Sequence, residues 1–289
     1  MASMRDIKRR KSSIQGTQQI TKAMKLVSTV KLQRARASAE RSKDYFTCMY
    51  DTVNSILKRV GHIDHKYLTS GVSQKKAVIV ITSNRGLAGG YNSNVTKLVT
   101  RHPEWKKEDL EIYCLGNKGR ETFARYGYEI KAADNEIVES PMYSDAAALS
   151  ARLLESYAAG EIGEIYLAYT RFKNTVSHIP TLLKLLPVEV SGEEEDTGTA
   201  KDAGAIMNFE PEDSEALDLL IPKYVTSLIY GALRESLASE NGARMQAMDN
   251  ATSNAEEMIS DLTLKYNRAR QGSITQELTE IIAGAEALG

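Results

Sequence analysis

The C-terminal quarter of the chain has the most regular hydrophobic pattern. Within the stretch from Asp213 to Leu288, small and apolar residues recur alternately three and four positions apart between Met245 and Ala269. This 3.5-residue period keeps one stripe of a helix facing a partner helix and predicts a left-handed supercoil. The sequence therefore predicts one very long helix. Its stripe comprises Met245, Met248, Thr252, Ala255, Ile259, Leu262, Tyr266 and Ala269, and then continues through Ile274, Leu278, Ile281, Ala285 and Leu288.

The predicted helix has a recognisable start and several weak points. Pro211 suits a first helical turn, and Pro222 is expected to kink the early part. Seventy-odd residues would extend about 110 Å, so such a helix needs a partner. An alternative is a set of ordinary helices separated at Gly231, Gly242 and Gly272, although one glycine inside a helix costs only about 1 kcal/mol.

A second long helix is predicted from Met4 to about Gly61. Its expected stripe lies near heptad spacing, and the simplest way to bury both stripes is an antiparallel pair formed by the two ends of the chain. The stripe comprises Ile7, Ile14, Thr17, Ile20, Met24 and Val27, then Ala35 and Ala39, then Tyr45, Met49, Val53, Ile56 and Val60.

The period changes between the two helices. Strand-like runs alternate with helical ones, which predicts a small α/β domain with a mostly parallel sheet. A last apolar run, Ile179–Val190, extends the sheet or leads back to the long helix, and residues 191–204 form an acidic linker. The predicted strands are 77–82, 111–115, 128–131 and 164–170, and the predicted helices are 93–101, 118–125 and 144–158.

Charge is distributed unevenly along the 289 residues. The net charge is -1, yet the first 43 residues contain twelve Lys or Arg against Asp6 and Glu40. A basic helix face can dock an acidic protein, bind nucleic acid or an anionic membrane, or simply be solvated. Aromatic residues that would stack on bases are missing before Tyr45, which weakens the case for single-strand binding.

Chemical motifs are sparse. The glycine-rich turn SNRGLAGGYN at residues 83–92 could hold a phosphate, but it matches neither the dinucleotide nor the P-loop pattern and fits a structural turn with positive φ. His62, Asp64 and His65 could begin a metal site, but they lack a complementary cluster and fit a loop exit. Cys48 and Cys114 provide no disulfide framework. We therefore predict no active site, cofactor or metal, and no apolar run reaches the roughly 18 residues of a membrane span.

The two ends of the chain resemble the γ subunit of F-type ATP synthase. The N-terminal match consists of RDIKRR at residues 5–10 and QITKAMKLVS at 19–28. The turn at residues 83–92 is similar to the family pattern S-[DN]-R-G-L-x-G-x-x-N. The C-terminal match consists of ARMQAM at 243–248, ATSNA at 251–255, YNRARQ at 266–271, ITQEL at 274–278 and EIIAGA at 280–285.

The resemblance implies a fold, a function and a set of partners. The expected architecture is an antiparallel coiled coil of residues 1–61 and 211–289 with an inserted α/β (Rossmann-like) domain at 62–210. The implied function is that of the central rotary shaft, which couples a proton- or sodium-driven rotor to ATP chemistry on the β subunits of an α3β3 hexamer. The other implied partners are ε and the c-ring, with no nucleic acid. The chain would be non-catalytic and peripheral on the cytoplasmic side of a bacterial plasma membrane, without a transit peptide.

The resemblance also implies which residues meet the partners. The cations beside the stripe of the first helix would face the acidic helical lobes of β, and three polar positions of the second helix would make further contacts. The apolar tip would turn in a sleeve of the hexamer, although small terminal residues also fit a frayed end. The implied β contacts are Lys22, Met24, Lys25, Arg244, Gln271 and Thr275, and the tip residues are Ile274, Leu278, Ile281, Ile282, Ala285 and Leu288.

Overall fold

The computed structural model describes residues 4–60, 65–71, 73–188 and 213–286. Five α-helices, one short 3-10 helix and five strands occur in these ranges. The α-helices are α1 (Met4–Val60), α2 (Tyr91–Thr100), α3 (Asn117–Arg125), α4 (Tyr143–Ala158) and α5 (Asp213–Glu286), and the 3-10 helix is Lys107–Asp109. The strands are β1 (Lys76–Ile81), β2 (Leu110–Leu115), β3 (Glu129–Asp134), β4 (Glu164–Phe172) and β5 (His178–Leu186).

Both long helices are confirmed, and the alternative of several separate helices is wrong. α5 runs through Gly231, Gly242 and Gly272 without interruption and contains Pro222. The Pro222 carbonyl accepts a hydrogen bond from the Thr226 hydroxyl at 2.8 Å. Pro211, the acidic linker 191–204 and the boundaries predicted near residues 61 and 210 lie outside the described residues.

The five strands form one mixed sheet in the order β3-β2-β1-β4-β5. β1 pairs in parallel with β2 and β4, and β2 pairs in parallel with β3. β5 is antiparallel to β4, so the apolar run predicted at Ile179–Val190 forms the sheet edge as far as Leu186. We call β1–β5 with α2–α4 the α/β domain, and its predicted α/β class is confirmed.

Alternation along β1 fills two separate cores. Ala77, Ile79 and Ile81 face a core that contains residues of α4 and α5, such as Leu153 and Val225. On the other face, residues of α2 and α3 join Val78 and Val80 in a smaller core, which also holds the single tryptophan. Burial of both faces explains why β1 reads as a continuous apolar run rather than an alternating one.

A charged cluster lies at the N-terminal ends of β1 and β4. The Glu164 carboxylate pairs with the ammonium groups of Lys76 and Lys184, the latter at 3.1 Å, and its side chain is 18% exposed. Burial raises the pKa of Glu164, but the hydrogen bonds and charges of the two lysines outweigh this effect and lower its pKa overall. A lowered native pKa stabilises the fold above the unfolded carboxyl pKa, and this contribution is lost as the pH falls through the native value.

Glu164→Gln is therefore expected to destabilise the α/β domain at pH 7 by about 2 kcal/mol, since hydrogen bonds to charged groups are worth that much. The difference between the two proteins should shrink when the pH is lowered below about 4.5, where the unfolded wild-type carboxyl takes up its proton. Urea unfolding at a series of pH values measures this. A constant difference between pH 7 and pH 3 would contradict the assignment of the Glu164 pKa.

The chain divides into two compact units. One comprises Met1–Val30 with Arg244–Gly289, and the other comprises Lys31–Ala243. Among the described residues the first unit contains only helix, namely the N-terminal part of α1 and the C-terminal part of α5. We call residues 4–30 and 244–286 the helix pair.

Candidate interaction surface on the helix pair

Three contacts define how the helix pair is arranged. The Gln18 amide donates to the Glu256 carboxylate at 3.0 Å, and the Thr21 and Thr252 hydroxyls lie 2.8 Å apart. Lys25 pairs with Asp249 at 2.5 Å. Because the partner number falls as the α1 number rises, the helices are antiparallel, as predicted.

The α5 side of the contact follows the predicted stripe. Met248, Thr252, Ala255 and Leu262 are buried. The other members up to Ala269 are half-buried. Heptad spacing therefore identified the contact face of α5.

The α1 side requires a correction. Thr17, Ile20 and Val27, predicted on the stripe, are exposed, whereas Thr21 and Ser28 are buried. The prediction favoured the larger apolar residues, but the helices meet through small hydroxyl side chains that allow close approach. The missed signal was the strict seven-residue series through Ile7, Ile14, Thr21, Ser28 and Ala35.

Apolar residues of α1 that lie outside the helix contact form a separate exposed stripe, which we call the α1 stripe. Ile20 and Val27 remain 62% and 58% exposed, and Val30 also lies on the surface. With Ala23 they recur at i, i+3, i+7 and i+10, which places them on one helix face. Large exposed apolar residues that share a face indicate a protein contact.

The predicted contact residues of α1 have different surroundings. Lys22 is exposed and makes no ion pair among the described residues, whereas Met24 is half-buried. Lys25 is held by Asp249, so its charge is already neutralised within the chain. Lys22 therefore places a positive charge next to the apolar stripe, whereas the charge of Lys25 is neutralised by Asp249.

The predicted contact residues of α5 lie in two places. Arg244 is half-buried and five residues from Asp249, in the same stretch of the helix pair as Lys25. Gln271 and Thr275 are exposed and lie about 40 Å or more beyond Arg244 along α5, at 1.5 Å per residue. The Thr275 hydroxyl donates to the backbone carbonyl of Gln271 at 2.9 Å. The six residues thus do not form one cluster.

The tip of α5 presents apolar side chains to the surface. Ile274, Leu278, Ile281 and Ile282 are between 48% and 68% exposed. Ala285 is also exposed, and Leu288 lies outside the described residues. The antiparallel register explains this exposure, since the α1 helix begins at Met4 and would reach only about residue 270 of α5. α5 stays helical as far as Glu286, so the tip is not a frayed end up to that residue.

The other candidate sites contain structural interactions. In the glycine-rich turn, Gly89 and also Leu87 have φ near +60°. The Asn92 side chain accepts from the Ser83 amide at 2.9 Å, and the Ser83 hydroxyl donates to the Arg85 carbonyl, which supports the structural interpretation of the turn.

The histidine cluster gives no metal centre in the described part of the chain. His65 is buried, with its Nε2 3.3 Å from the Asp218 carboxylate, while His62 and Asp64 lie outside the described residues. No three His, Cys, Asp or Glu side chains come together as metal ligands there. The described helices include none with the length and apolar character of a membrane span.

These features define a class of protein. The two ends of the chain form an antiparallel helix pair with an exposed apolar stripe, an exposed apolar tip and a polar α/β insertion. Such a protein is an interaction subunit of a larger assembly, because its exposed apolar faces need partners.

Comparisons with known proteins identify the family. Residues 3–288 match the family model described as ATP synthase. An ATP synthase gamma chain from Lachnoclostridium phytofermentans is 62% identical over 291 residues, covering all of both chains. A sodium ion specific ATP synthase gamma chain from Acetobacterium woodii is 41% identical over 99% of each. The chain belongs to the ATP synthase family, and the predicted function as the central rotary shaft is confirmed.

Solved structures show the same fold. A chain in the mitochondrial ATP synthase of Euglena gracilis matches 99% of this chain with a TM-score of 0.68 at 18% identity. A chain of the central stalk and c-ring structure from Tetrahymena thermophila matches 80% with a TM-score of 0.58 at 23% identity. The predicted fold class is therefore confirmed as well.

Proposed function

We propose that the helix pair acts on the β subunits through the exposed stripe of α1 and the cations beside it, and that the chain has no catalytic role of its own. The observation that supports this most strongly is the exposure of Ile20 and Val27 next to Lys22, which has no ion pair within the described part of the chain. An apolar stripe bordered by a cation fits an acidic amphipathic partner surface better than it fits water.

The helix pair presents a different surface to each side of the hexamer. At the level of Lys25, the internal pair with Asp249 neutralises one side of the helix pair, while the α1 stripe leaves another side apolar. Three β subunits around this section would each meet a different surface. Differential contact shifts a conformational equilibrium, so turning the shaft changes the nucleotide affinity of each β subunit in turn.

The tip would turn inside an apolar sleeve formed by the hexamer. Its exposed isoleucine and leucine side chains carry no fixed hydrogen bonds that would have to break at each step. Gln271 and Thr275 lie at the start of this segment, are both exposed, and provide its polar contacts to β.

The remaining partners follow from the family. The α, β and ε subunits and the c-ring surround the chain, which lies peripherally on the cytoplasmic side of a bacterial plasma membrane and is driven by protons or sodium ions. Support for a bacterial assignment comes from the 62% identical bacterial gamma chain, and support for either ion comes from the sodium ion specific relative.

Met24→Lys in the assembled enzyme tests the proposed contact. Met24 is half-buried beside the α1 stripe, and a new cation that loses its water at a protein contact costs about 2–5 kcal/mol. We expect ATP hydrolysis to continue, while ions pumped per ATP fall to less than about half, because the cost differs among the rotational positions of the shaft. Hydrolysis and pumping are measured together in membrane vesicles.

Met24→Leu is the matched control, since it conserves volume and adds no charge. It should retain the wild-type ratio of ions pumped to ATP hydrolysed. An unchanged ratio in Met24→Lys, with the complex assembled at normal stoichiometry, would refute a β contact at this position.

A further inference from the structure

The end of β4 extends beyond the strand that pairs with it on one side. β1 pairs with β4 as far as Ala168, whereas β4 continues to Phe172. β5 covers the other edge of β4 along this whole stretch. We call residues 169–172 the β4 extension. The backbone groups on its β1 side need other hydrogen-bond partners, because they are the open edge of a sheet.

Side chains of α5 occupy that edge. The Thr170 amide donates to the Ser236 hydroxyl at 3.4 Å, and the Ser239 hydroxyl donates to the Thr170 carbonyl at 3.2 Å. The Phe172 amide donates to the Glu235 carboxylate at 3.3 Å. α5 therefore takes the place of a neighbouring strand for two residues of β4. We call Glu235, Ser236 and Ser239 the edge clamp.

The hydroxyls of the edge clamp are shielded from water. Ser236 and Ser239 are 1% and 0% exposed, and Thr170 is 2% exposed. A buried amide or carbonyl that loses its partner carries the full desolvation penalty of that group. Replacement of either serine by alanine would therefore leave a buried backbone group of Thr170 without this partner.

The next turn of α5 lies directly against β5. A Cβ atom on Gly242 would lie 2.5 Å from Nε2 of His178, the first residue of β5. Glycine is needed here because any side chain would push the histidine ring away. The ends of β4 and β5 are thus held close to α5 from Glu235 to Gly242.

This contact begins where the apolar contact ends. Among the described residues, the α5 members of the two domain cores run from Leu217 to Leu233. The edge clamp and Gly242 extend the attachment of α5 to the sheet beyond Leu233 by about 14 Å, at 1.5 Å per residue. From Arg244 onwards α5 belongs to the helix pair. The edge clamp therefore lies on the last part of α5 before the helix pair.

Hydrogen bonds resist rotation of a helix more strongly than apolar packing does. Apolar burial is non-directional, whereas a hydrogen bond weakens steeply when its donor and acceptor are misaligned. The clamp residues recur at i, i+1 and i+4, so they lie on one face of α5. Rotation of α5 about its own axis would misalign all of their bonds to β4 together.

We propose that Ser236 and Ser239 are positioning residues that fix α5 against the sheet, so that a turning force on the α/β domain passes to the helix without a twist between them. They act through the backbone of β4 and not through a partner subunit. The proposal rests on the function as a rotary shaft and does not depend on the β-subunit contacts proposed above.

The test compares two double variants in the assembled enzyme. Ser236→Ala with Ser239→Ala, the clamp variant, removes the two clamp hydroxyls. Ser150→Ala with Ser227→Ala is the matched control, because these serines are 1% and 2% exposed and their hydroxyls have no hydrogen-bond partner among the described residues. The two variants lose the same atoms from similar surroundings, and only the clamp variant loses hydrogen bonds to β4.

Hydrogen exchange followed by mass spectrometry reports the β4 extension. We expect peptides that contain residues 169–172 to exchange about tenfold faster in the clamp variant, because Thr170 loses partners for its amide and its carbonyl. Peptides from β1 should exchange at the wild-type rate, and the control variant should match the wild type throughout. Unchanged exchange at residues 169–172, or equal acceleration in β1, would overturn the proposal.

The angular spread of the shaft reports the positioning role itself. A bead is attached to the exposed position of Glu104→Cys in a Cys48→Ser background. Burial raises the pKa of the Cys114 thiol to about 12, so this residue stays unreactive. With the hexamer immobilised and stalled by a non-hydrolysable ATP analogue, the bead should fluctuate over a wider angle in the clamp variant than in the wild type or the control. An unchanged angular width would make the two serines ordinary stabilising residues and would also overturn the proposal.

Ser239→Ala alone covers the case in which the clamp variant does not assemble. It removes only the bond to the Thr170 carbonyl, so both the exchange at residues 169–172 and the angular width should change in the same direction by a smaller amount. Wild-type values of either quantity in this single variant would count against the proposal in the same way.

Discussion

Gly116→Ala is expected to destabilise the α/β domain by about 3–5 kcal/mol, because backbone strain and a steric clash act together. Gly116 connects β2 to α3 with φ of +101°, a conformation that residues with a side chain rarely adopt. A Cβ atom there would lie 2.2 Å from the Thr82 carbonyl oxygen at the end of β1. Neither backbone can move without disturbing the paired strands β1 and β2.

The strain and the clash can be separated with Gly160→Ala. Gly160 also has a positive φ, +74°, but a Cβ atom there would meet nothing within 4 Å. This control should cost only about 1 kcal/mol, from strain alone. Urea unfolding followed by Trp105 fluorescence reports the domain, since Trp105 stacks on His102 and contacts Tyr166 of β4 edge-on. Equal losses in the two variants would contradict the assigned clash.

Ala255→Asp is expected to separate the helix pair and abolish coupled rotation. Ala255 is 4% exposed in the contact between α1 and α5. An unpaired carboxylate buried there costs about 3–5 kcal/mol. Cross-linking between Gln18→Cys and Glu256→Cys should fall about tenfold, and ATP-driven ion pumping in the assembled enzyme should fall in parallel.

Asn254→Asp is the matched control for this change. Its side chain is exposed one residue earlier on α5, so the same carboxylate stays in water. We expect cross-linking and pumping within the range of the wild type. If Ala255→Asp kept wild-type cross-linking and wild-type ion pumping, the contact near Ala255 would not be what holds the helices together.

Helices and strands followed closely from local pattern. Heptad spacing identified α5 and its contact face, and alternation of strand-like and helical runs identified the α/β domain and its sheet. These features are set by periodic burial, which a sequence displays directly. The direction of β5 was not predictable, because an apolar run of this length fits a parallel or an antiparallel edge equally well.

The contact face of α1 was predicted less well. Ile20 and Val27 are large and apolar, and sequence reasoning placed them inside the helix pair, whereas they are exposed. Burial of Thr21 and Ser28 depends on the shape of the facing helix and on a hydroxyl partner more than 200 residues away, at Thr252. The hydrophobic pattern of α1 gives no information about that partner.

The candidate contact residues were known only through family resemblance. Lys22 and Lys25 look alike in sequence, yet the structure neutralises Lys25 with Asp249 and leaves Lys22 exposed. This difference arises from the antiparallel register, so it could be read only after the two chain ends were placed side by side.

Small side chains between the helices also set the width of the axle. Helices that meet through serine, threonine and alanine approach to about 8 Å between axes, whereas larger side chains hold them about 10 Å apart. Ser28, Thr21, Thr252 and Ala255 are buried in this stretch, together with one larger side chain, Met248. A helix pair with closely spaced axes needs less room when it rotates. The channel around it can therefore be narrow and still contact a helix pair whose cross-section is not circular.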